Sequence, residues 1–335
     1  MVRLPLNVLT LYADLLQQLQ SASQAGTLYT QKISGHTYQY VRWQAGQKRL
    51  DRLLGRADHP ETAKAASRIR AENQLRKQRR KLIAALRKWC PPPHPGIGSV
   101  LDAVADAGLF KNGAVLVGTA AYLCYGPLVG AELPAAALIT QDVDIATAKL
   151  ALQTNAGLDS GHGGSPAKLI TMETILKRAD ESFGSLPGLD PRAMPSRFRA
   201  ETGLMVDLLT PLLRRTDRNP MRLPHLRAGA APLQYLKWLL EDPVDAIALH
   251  GSGVLVSIPQ PARFAVHKLI IAQKRPGANL KRQKDLLQAK ALMEALSAHD
   301  PEALELALAD AKRRGSEGWR RPITASLEAI SRMER

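Results

Sequence analysis

The sequence predicts an α+β protein with a basic N-terminal module and a helical C-terminal region. Two strand-like segments carry most of this prediction. Apolar residues 114–117 run into a tight Gly118-Thr119 turn, and the segment from Gln141 to Ile145 holds two carboxylates one residue apart, flanked by Val and Ile. From Pro261 onward the apolar spacing is helical. We therefore expect a sheet-containing core that is followed by helices.

Length and composition restrict the class of protein. The chain has 335 residues, of which 45% are hydrophobic, enough for two or three domains with a substantial core. It has no run of 18 apolar residues, and its first residues lack a signal-peptide pattern. Cys90 and Cys124 are too few for a disulfide framework or a zinc site. We expect a cytoplasmic protein without membrane contact.

Positive charge is concentrated near the N-terminus. The net charge is +16, and residues 1–90 hold 17 Lys and Arg against five Asp and Glu, a net +12. The remaining residues hold 29 against 25, a net +4. A concentrated basic surface attracts polyanions such as RNA or DNA.

The elements of the N-terminal region follow from local patterns. Residues 6–23 have helical spacing, and alternating side chains around Ser34-Gly35 predict a β-hairpin. A long helix over 61–89 carries ten Lys and Arg, and three prolines at 91–93 end it. We expect a module over residues 1–92 that is either a nucleic-acid-binding arm or a solvated helix packed on its own hairpin.

Asp142 and Asp144 are the first candidate site residues. Residues i and i+2 of a strand point to the same face, so these two carboxylates lie side by side while Val143 points to the other face. Clustered carboxylates are costly unless a positive charge lies between them, and a divalent cation is the usual solution. Beside the Gly118-Thr119 turn, the pair suggests Mg²⁺ (or Mn²⁺) that holds a nucleoside triphosphate.

Asp207 is the third candidate carboxylate. It lies alone within the apolar strand 204–209, where a charge needs a compensating partner. It is either a third metal ligand or a strand-end residue that caps a turn before Pro211. Elsewhere the patterns predict a helix over 97–107, a Gly-rich loop over 157–165, a helix over 167–182, a strand over 196–201, and mixed helix and strand over 232–240 and 245–258.

These residues resemble the DNA polymerase β-type nucleotidyltransferase superfamily, whose pattern is a strand, a small-residue turn, a helix, an Asp-x-Asp strand and a later third carboxylate. More closely, the chain resembles bacterial nucleotidyltransferase-like proteins related to abortive-infection and type IV toxin nucleotidyltransferases. In those the gap between turn and carboxylates is long, as in the 22 residues between Thr119 and Asp142. The resemblance covers residues 95–295. It implies a nucleotidyltransferase mixed sheet flanked by helices over 95–260, with a helical region over 261–335 completing the nucleotide site.

The resemblance also implies roles for individual residues. Two metal ions would be shared by Asp142, Asp144 and Asp207, and Asp207 would act as general base in transferring a nucleoside monophosphate to an acceptor hydroxyl. The nucleotide, with ATP as a candidate, would be bound by residues of the turn and the C-terminal helices: Gly118, Thr119, Lys268, Lys284 and Asp285. Thr119 departs from the family pattern, which has Gly or Ser there.

The acceptor is suggested by the basic N-terminal region. RNA is favoured, with a tRNA end as the toxin-like target and a cognate antitoxin as a further partner. Two alternatives stay open. One is a catalytically inactive nucleic-acid-binding protein of the same fold. The other is a small-molecule, antibiotic-type nucleotidyltransferase.

Overall fold

The helices and strands are taken from a computed structural model, which describes residues 2–22, 25–45, 48–134, 141–147, 171–188, 190, 192–214, 219–275 and 280–333. The helices of these residues are α1 (Leu6–Gln20), α2 (Pro60–Leu86), α3 (Pro95–Asp106), α4 (Gly118–Tyr122), α5 (Met172–Leu176), α6 (Leu236–Leu239), α7 (Pro261–Lys274), α8 (Leu280–His299), α9 (Pro301–Arg313) and α10 (Arg321–Arg332). None of these helices is both long enough and apolar enough to span a membrane.

The strands of the described residues form three sheets. They are β1 (Thr27–Ile33), β2 (His36–Ala45), β3 (Lys48–Arg56), β4 (Ala114–Val117), β5 (Asp142–Thr147), β6 (Gly184–Leu186), β7 (Arg197–Arg199), β8 (Met205–Pro211), β9 (Met221–Leu223), β10 (Ala228–Leu233), β11 (Val244–Ala248) and β12 (Val254–Ile258). The first sheet is β1–β2–β3, the largest contains β4 to β10, and β11 pairs with β12. The α+β prediction is confirmed.

The large sheet is mixed. Strand β5 runs parallel to β8 and antiparallel to β4. The other side of β8 pairs antiparallel with β7 through its first half and parallel with β10 through its second half. All four residues of β4 are buried, as are the last four residues of β8. The first residues of β5 and β8 are less buried, so the predicted acidic positions lie at the accessible end of two buried strands.

The N-terminal region contains one strand more than the sequence predicts. The β1–β2 hairpin occurs at its expected place, but β3 extends it to a three-stranded antiparallel sheet. Helices α1 and α2 share a small hydrophobic cluster with Ile247 and Leu249 of the β11–β12 region. Arg87 also donates two hydrogen bonds to the carbonyl oxygen of Leu249. The division at residue 92 into a separate module stays a prediction.

One predicted helix is shorter in the structure. Helix α5 begins with a capping box between Thr171 and Thr174 and ends at Leu176, whereas the sequence pattern predicts helix to residue 182. The Asp180 carboxylate accepts hydrogen bonds from the Ser182 amide and hydroxyl, and this local turn competes with further helix. Residues 167–170 and the Gly-rich loop over 157–165 lie outside the described residues.

Candidate active site

A single cross-strand row places four side chains across the mixed sheet. Val117 of β4 is the partner of Asp144 on β5, Asp144 is the partner of Asp207 on β8, and Asp207 is the partner of Arg197 on β7. Residues in register on neighbouring strands point to the same face of a sheet. Asp142 lies two residues before Asp144 and shares that face. The three acidic residues predicted from the sequence are therefore brought together.

Gly118 allows the Asp144 carboxylate to lie against the backbone of the turn. Its φ is +67°, and a Cβ atom at this position would lie 2.2 Å from Oδ2 of Asp144. Any larger residue would push the carboxylate away and would also strain the backbone. The glycine of the predicted turn is therefore required both by its conformation and by the closeness of the acid.

Asp144 has a strongly perturbed acidity. Burial raises the pKa of its carboxyl to about 6, with Asp207 and Asp142 adding to the increase. Lys268 and Lys281 act in the opposite direction but do not cancel it. A cation bound beside Asp144 would favour its ionised form and offset this increase.

A lysine side chain lies near the carboxylate of the neighbouring Asp142. Nζ of Lys281, on the first turn of α8, lies 3.7 Å from Oδ2 of Asp142. The lysine side chain is more than half exposed, so this contact is weakly stabilising. Lys281 was not among the residues predicted from the sequence, although it lies in the same helix as the predicted Lys284 and Asp285.

Asp207 is bound by an arginine. Nε and Nη2 of Arg197 donate hydrogen bonds of 2.7 and 2.9 Å to its two carboxylate oxygens. The hydrogen bonds to Asp207 raise the pKa of Arg197, which stays charged. Such a two-bond pair is both strong and orienting. The sequence left two roles open for Asp207, a metal ligand or a turn-capping residue. In the structure Asp207 lies beside Asp144 on the sheet face, and Arg197 compensates its charge.

Behind the acidic row, Lys268 belongs to a buried ion-pair network. Its Nζ lies 2.7 Å from Oδ1 of Asp285, and Nε of Arg275 lies 2.5 Å from Oδ2 of the same carboxylate. Lys268 is 7% exposed and Asp285 is fully buried. Burial alone would raise the pKa of Asp285, but Lys268 and Arg275 outweigh it and hold the pKa below its usual range. Asp285 therefore fixes Lys268 in place, and Lys268 is close enough to affect Asp144.

Two more predicted residues border the site. Burial, with the nearby charge of Lys268, lowers the pKa of Lys284. Thr119 is buried, and its hydroxyl oxygen lies 3.4 Å from Nε2 of Gln288 on α8. Helix α8 thus contacts the turn and carries Lys284 and Asp285, which connects the C-terminal helices to the acidic row.

The acidic residues fit a divalent cation in part. Asp142 and Asp144 provide hard oxygen ligands on one face. Burial, with the neighbouring carboxylates, raises the pKa of Asp144, and a bound cation would offset that increase. Asp207, however, has both oxygens bound by Arg197. Within the described part of the chain, no group of three His, Cys, Asp or Glu side chains is arranged to hold a metal ion. One cation at Asp142 and Asp144 is compatible with this geometry. A second at Asp207 would require Arg197 to move.

Sequence reasoning missed Arg197, Arg275, Lys281 and Gln288. The predicted strands 196–201 and 204–209 leave a two-residue turn, and a hairpin with that turn would pair residue 198 with residue 207. The observed turn is one residue longer and pairs Arg197 with Asp207. The other three depend on how α7 and α8 pack on the turn, which the local sequence does not encode.

A mixed sheet with a row of carboxylates beside a glycine turn is the architecture expected of nucleotide-transferring proteins with an Asp-x-Asp strand. A nucleotidyltransferase family model matches residues 96–313, about two thirds of the chain, and the protein therefore belongs to the nucleotidyltransferase family. The general activity of that family is transfer of a nucleoside monophosphate. A search of curated proteins gave no match to the chain.

Proposed function

We propose that the protein is a Mg²⁺-dependent (or Mn²⁺-dependent) enzyme that transfers a nucleoside monophosphate from a nucleoside triphosphate, with ATP as a candidate, to an acceptor hydroxyl. RNA is the favoured acceptor. The observation that carries the proposal is the row formed by Asp144 and Asp207 in register, with Asp142 beside them and Gly118 against Asp144. A structural role alone would not favour three acids on one sheet face, because each raises the cost of ionising the others.

In the proposed reaction the acceptor oxygen attacks the α-phosphorus. The bond between that phosphorus and the α–β bridging oxygen breaks, and pyrophosphate leaves. The acceptor proton passes to Asp207, which acts as general base once Arg197 has released a carboxylate oxygen. A divalent cation bound at Asp142 and Asp144 would neutralise triphosphate charge and polarise the reacting phosphate.

The remaining residues bind and orient the triphosphate. Amide groups of the Gly118-Thr119 turn, at the start of α4, would donate to phosphate oxygens, and Gly118 has no side chain that could block them. Lys268 neutralises charge that develops on the leaving pyrophosphate. Its ion pair with Asp285 keeps it in position, and Lys284 adds a second positive charge at the same side. Arg197, once displaced from Asp207, is a further ligand for the triphosphate.

The pair between Arg197 and Asp207 is also the observation that favours an alternative. A permanently neutralised Asp207 would suit a nucleic-acid-binding protein that keeps the fold but has lost turnover. The two hypotheses differ in whether nucleotide and cation displace Arg197. A small-molecule, antibiotic-type acceptor is a further alternative, which would require no RNA binding.

The biological setting rests on the sequence resemblance and charge. The net +12 of residues 1–90 supports RNA as acceptor, and the toxin-like relatives suggest a tRNA end. A cytoplasmic location and a cognate antitoxin belong to the same proposal.

The test is incubation with each of four α-labelled nucleoside triphosphates, Mg²⁺ and one of three acceptor pools: total RNA, protein, or small aminoglycoside-type alcohols. We expect label in the RNA pool, and label confined to tRNA would support the toxin-like setting. Label only in small molecules would replace RNA with the antibiotic-type alternative. Absence of label from every pool, with a folded protein, would favour the inactive binding protein.

A further inference from the structure

The β1–β2–β3 sheet has two different faces. Cross-strand pairing puts Tyr29, Tyr40 and Leu53 in one row, and Arg42 and Asp51 are partners in the next row of the same face. On the opposite face Val41 is fully buried and Gln39 nearly so. Leu53 is 50% exposed, and the side chains of Arg42 and Asp51 are each more than one third exposed. One face therefore packs on the protein, and the other, which we call the tyrosine face, meets solvent.

The tyrosine face is ordered by a set of mutual contacts. The rings of Tyr29 and Tyr40 are stacked, with centroids 5.3 Å apart and planes at 16°. The Arg42 guanidinium lies 4.6 Å from the centroid of Tyr29. Asp51 accepts two hydrogen bonds from Arg42 and one from the Tyr29 hydroxyl. Exposed pairs of this kind add little to stability, so the arrangement is better explained by a ligand that needs fixed rings.

Positive charge on and around this sheet favours a polyanion. By register Arg42, Arg49 and Arg56 lie on the tyrosine face, whereas Lys32 and Arg52 lie on the opposite face. Residues 27–56 contain six Lys and Arg against one Asp, a net +5. The adjoining helix α2 has six further basic side chains in solvent: Lys64, Arg68, Arg70, Lys77, Arg80 and Lys81. Two exposed aliphatic residues, Ile33 and Leu53, lie on the same face as the tyrosines. Flat rings, apolar neighbours and surplus positive charge together match a polyanion whose bases are unstacked.

We propose that the tyrosine face binds single-stranded nucleic acid, with a base added to the stack formed by Tyr29 and Tyr40 and phosphates held by the surrounding Arg and Lys. The choice of RNA as the strand rests on the proposed function, because ring stacking does not distinguish ribose from deoxyribose. A duplex would satisfy the positive charge but could not place its bases on the rings. The proposal therefore assigns the basic N-terminal region the task of holding the acceptor strand.

A matched pair of substitutions on one strand tests the face. Leu53 and Leu50 are both exposed residues of β3. Leu53 pairs with Tyr40 and Leu50 pairs with Trp43, so the two leucines lie on opposite faces of the sheet. Leu53→Glu and Leu50→Glu change the net charge equally. Affinity for a fluorescent 12-nucleotide single-stranded RNA is measured by anisotropy, with neither nucleotide nor divalent cation present. We expect Leu53→Glu to weaken binding about ten-fold and Leu50→Glu less than about two-fold. Equal losses, or no loss from either, would overturn the proposal.

A second pair tests stacking itself. Tyr40→Phe keeps the ring and should bind as the wild type does, whereas Tyr40→Ala should bind about five-fold or more weakly. Denaturant unfolding of each variant checks that it is folded. The same RNA as a duplex should bind less tightly and should not distinguish Tyr40→Ala from wild type. A duplex that binds as tightly and is equally sensitive to Tyr40→Ala would overturn the proposal. Because the assay needs no catalysis, failure of the nucleotidyl-transfer proposal would leave these results unchanged.

Discussion

Arg197 binds both carboxylate oxygens of Asp207, at 2.7 and 2.9 Å, across the β7–β8 pair. The guanidinium thus takes the place at Asp207 where the proposed mechanism needs a free base. Arg197 therefore neutralises the carboxylate of Asp207. Nucleotide and cation would have to compete with that arginine, which makes the pair a point of control for the reaction.

Removing Arg197 should strengthen cation binding. In Arg197→Ala, Asp207 loses its partner and the acidic row loses one positive charge. Charges this close interact by more than about 1.4 kcal/mol, so Mn²⁺ should bind the variant about ten-fold more tightly than it binds the wild type. Titration followed by the electron paramagnetic resonance of free Mn²⁺ measures this without catalysis. Arg222→Ala, at the exposed position of β9 in the same sheet, is the control and should not change the affinity. An unchanged affinity in Arg197→Ala would contradict a cation role for the row.

Asp144→Asn should stabilise the protein at neutral pH. The pKa of Asp144 is raised to about 6 in the folded state, so the folded state binds the proton more tightly than the unfolded chain. The free energy of unfolding of the wild type therefore falls as pH rises from about 4 to about 6, and the penalty is fully present above pH 6. At about 1.4 kcal/mol per pKa unit, the variant should gain about 3 kcal/mol at pH 7.5 and less than about 1 kcal/mol at pH 4.

Urea unfolding of both proteins at pH 4 to 8, with divalent cations removed, measures that difference. Asp14→Asn, at an exposed position of α1, should shift the unfolding curve equally little at every pH. A difference between Asp144→Asn and wild type that does not grow with pH would show that the carboxylate is not strained by its neighbours.

Gly118→Ala should damage the site beyond the cost of backbone strain. Gly118 and Gly113 both have positive φ, at +67° and +93°, and lie at opposite ends of β4. A Cβ at Gly113 would meet nothing within 4 Å, whereas one at Gly118 would collide with Asp144. Each alanine should cost about 1–2 kcal/mol in strain, but only Gly118→Ala should also abolish cation binding. Nucleotide and Mn²⁺ binding are measured for both variants. Equal losses of binding in Gly118→Ala and Gly113→Ala would contradict this explanation.

Asp285→Asn should be the most destabilising of these changes. It would leave the buried Lys268 without its carboxylate and weaken the bond of Arg275, a loss of about 3–5 kcal/mol for a broken buried pair. The exposed pair between Arg56 and Asp58 provides the control, and Asp58→Asn should leave the unfolding midpoint unchanged. If Asp285→Asn unfolds at the wild-type denaturant concentration, Lys268 is not held in the way described.

The strands that carry the acids could be predicted because their residues are arranged in simple patterns. Asp142, Asp144 and Asp207 each interrupt an apolar strand, so their position and face follow from alternation. The sequence pattern did not predict strand β3 because its residues are mostly charged or exposed. It forms by pairing with the free edge of β2 in the β1–β2 hairpin. The helix predicted to residue 182 ends early because local hydrogen bonds of Asp180 compete with it.

The network around the acids could be predicted less well. Lys268 and Asp285 were found through a family resemblance, but their bond to each other depends on the packing of α7 against α8. The predicted strands 196–201 and 204–209 bring the segment of Arg197 beside Asp207, but their predicted bounds pair residue 198, not Arg197, with Asp207. That Arg197 would bind Asp207 with both nitrogens is a matter of side-chain conformation, which the sequence pattern does not determine.

The most direct test of nucleotidyl transfer uses one triphosphate labelled at either of two phosphates. Wild type and Asp144→Asn are incubated with Mg²⁺, RNA and the same nucleotide carrying label at the α- or the γ-phosphate. The account predicts that wild type transfers the α-label and none of the γ-label to RNA, and that Asp144→Asn, although folded, transfers neither. Transfer of the γ-label, or equal α-labelling by wild type and Asp144→Asn, would contradict it.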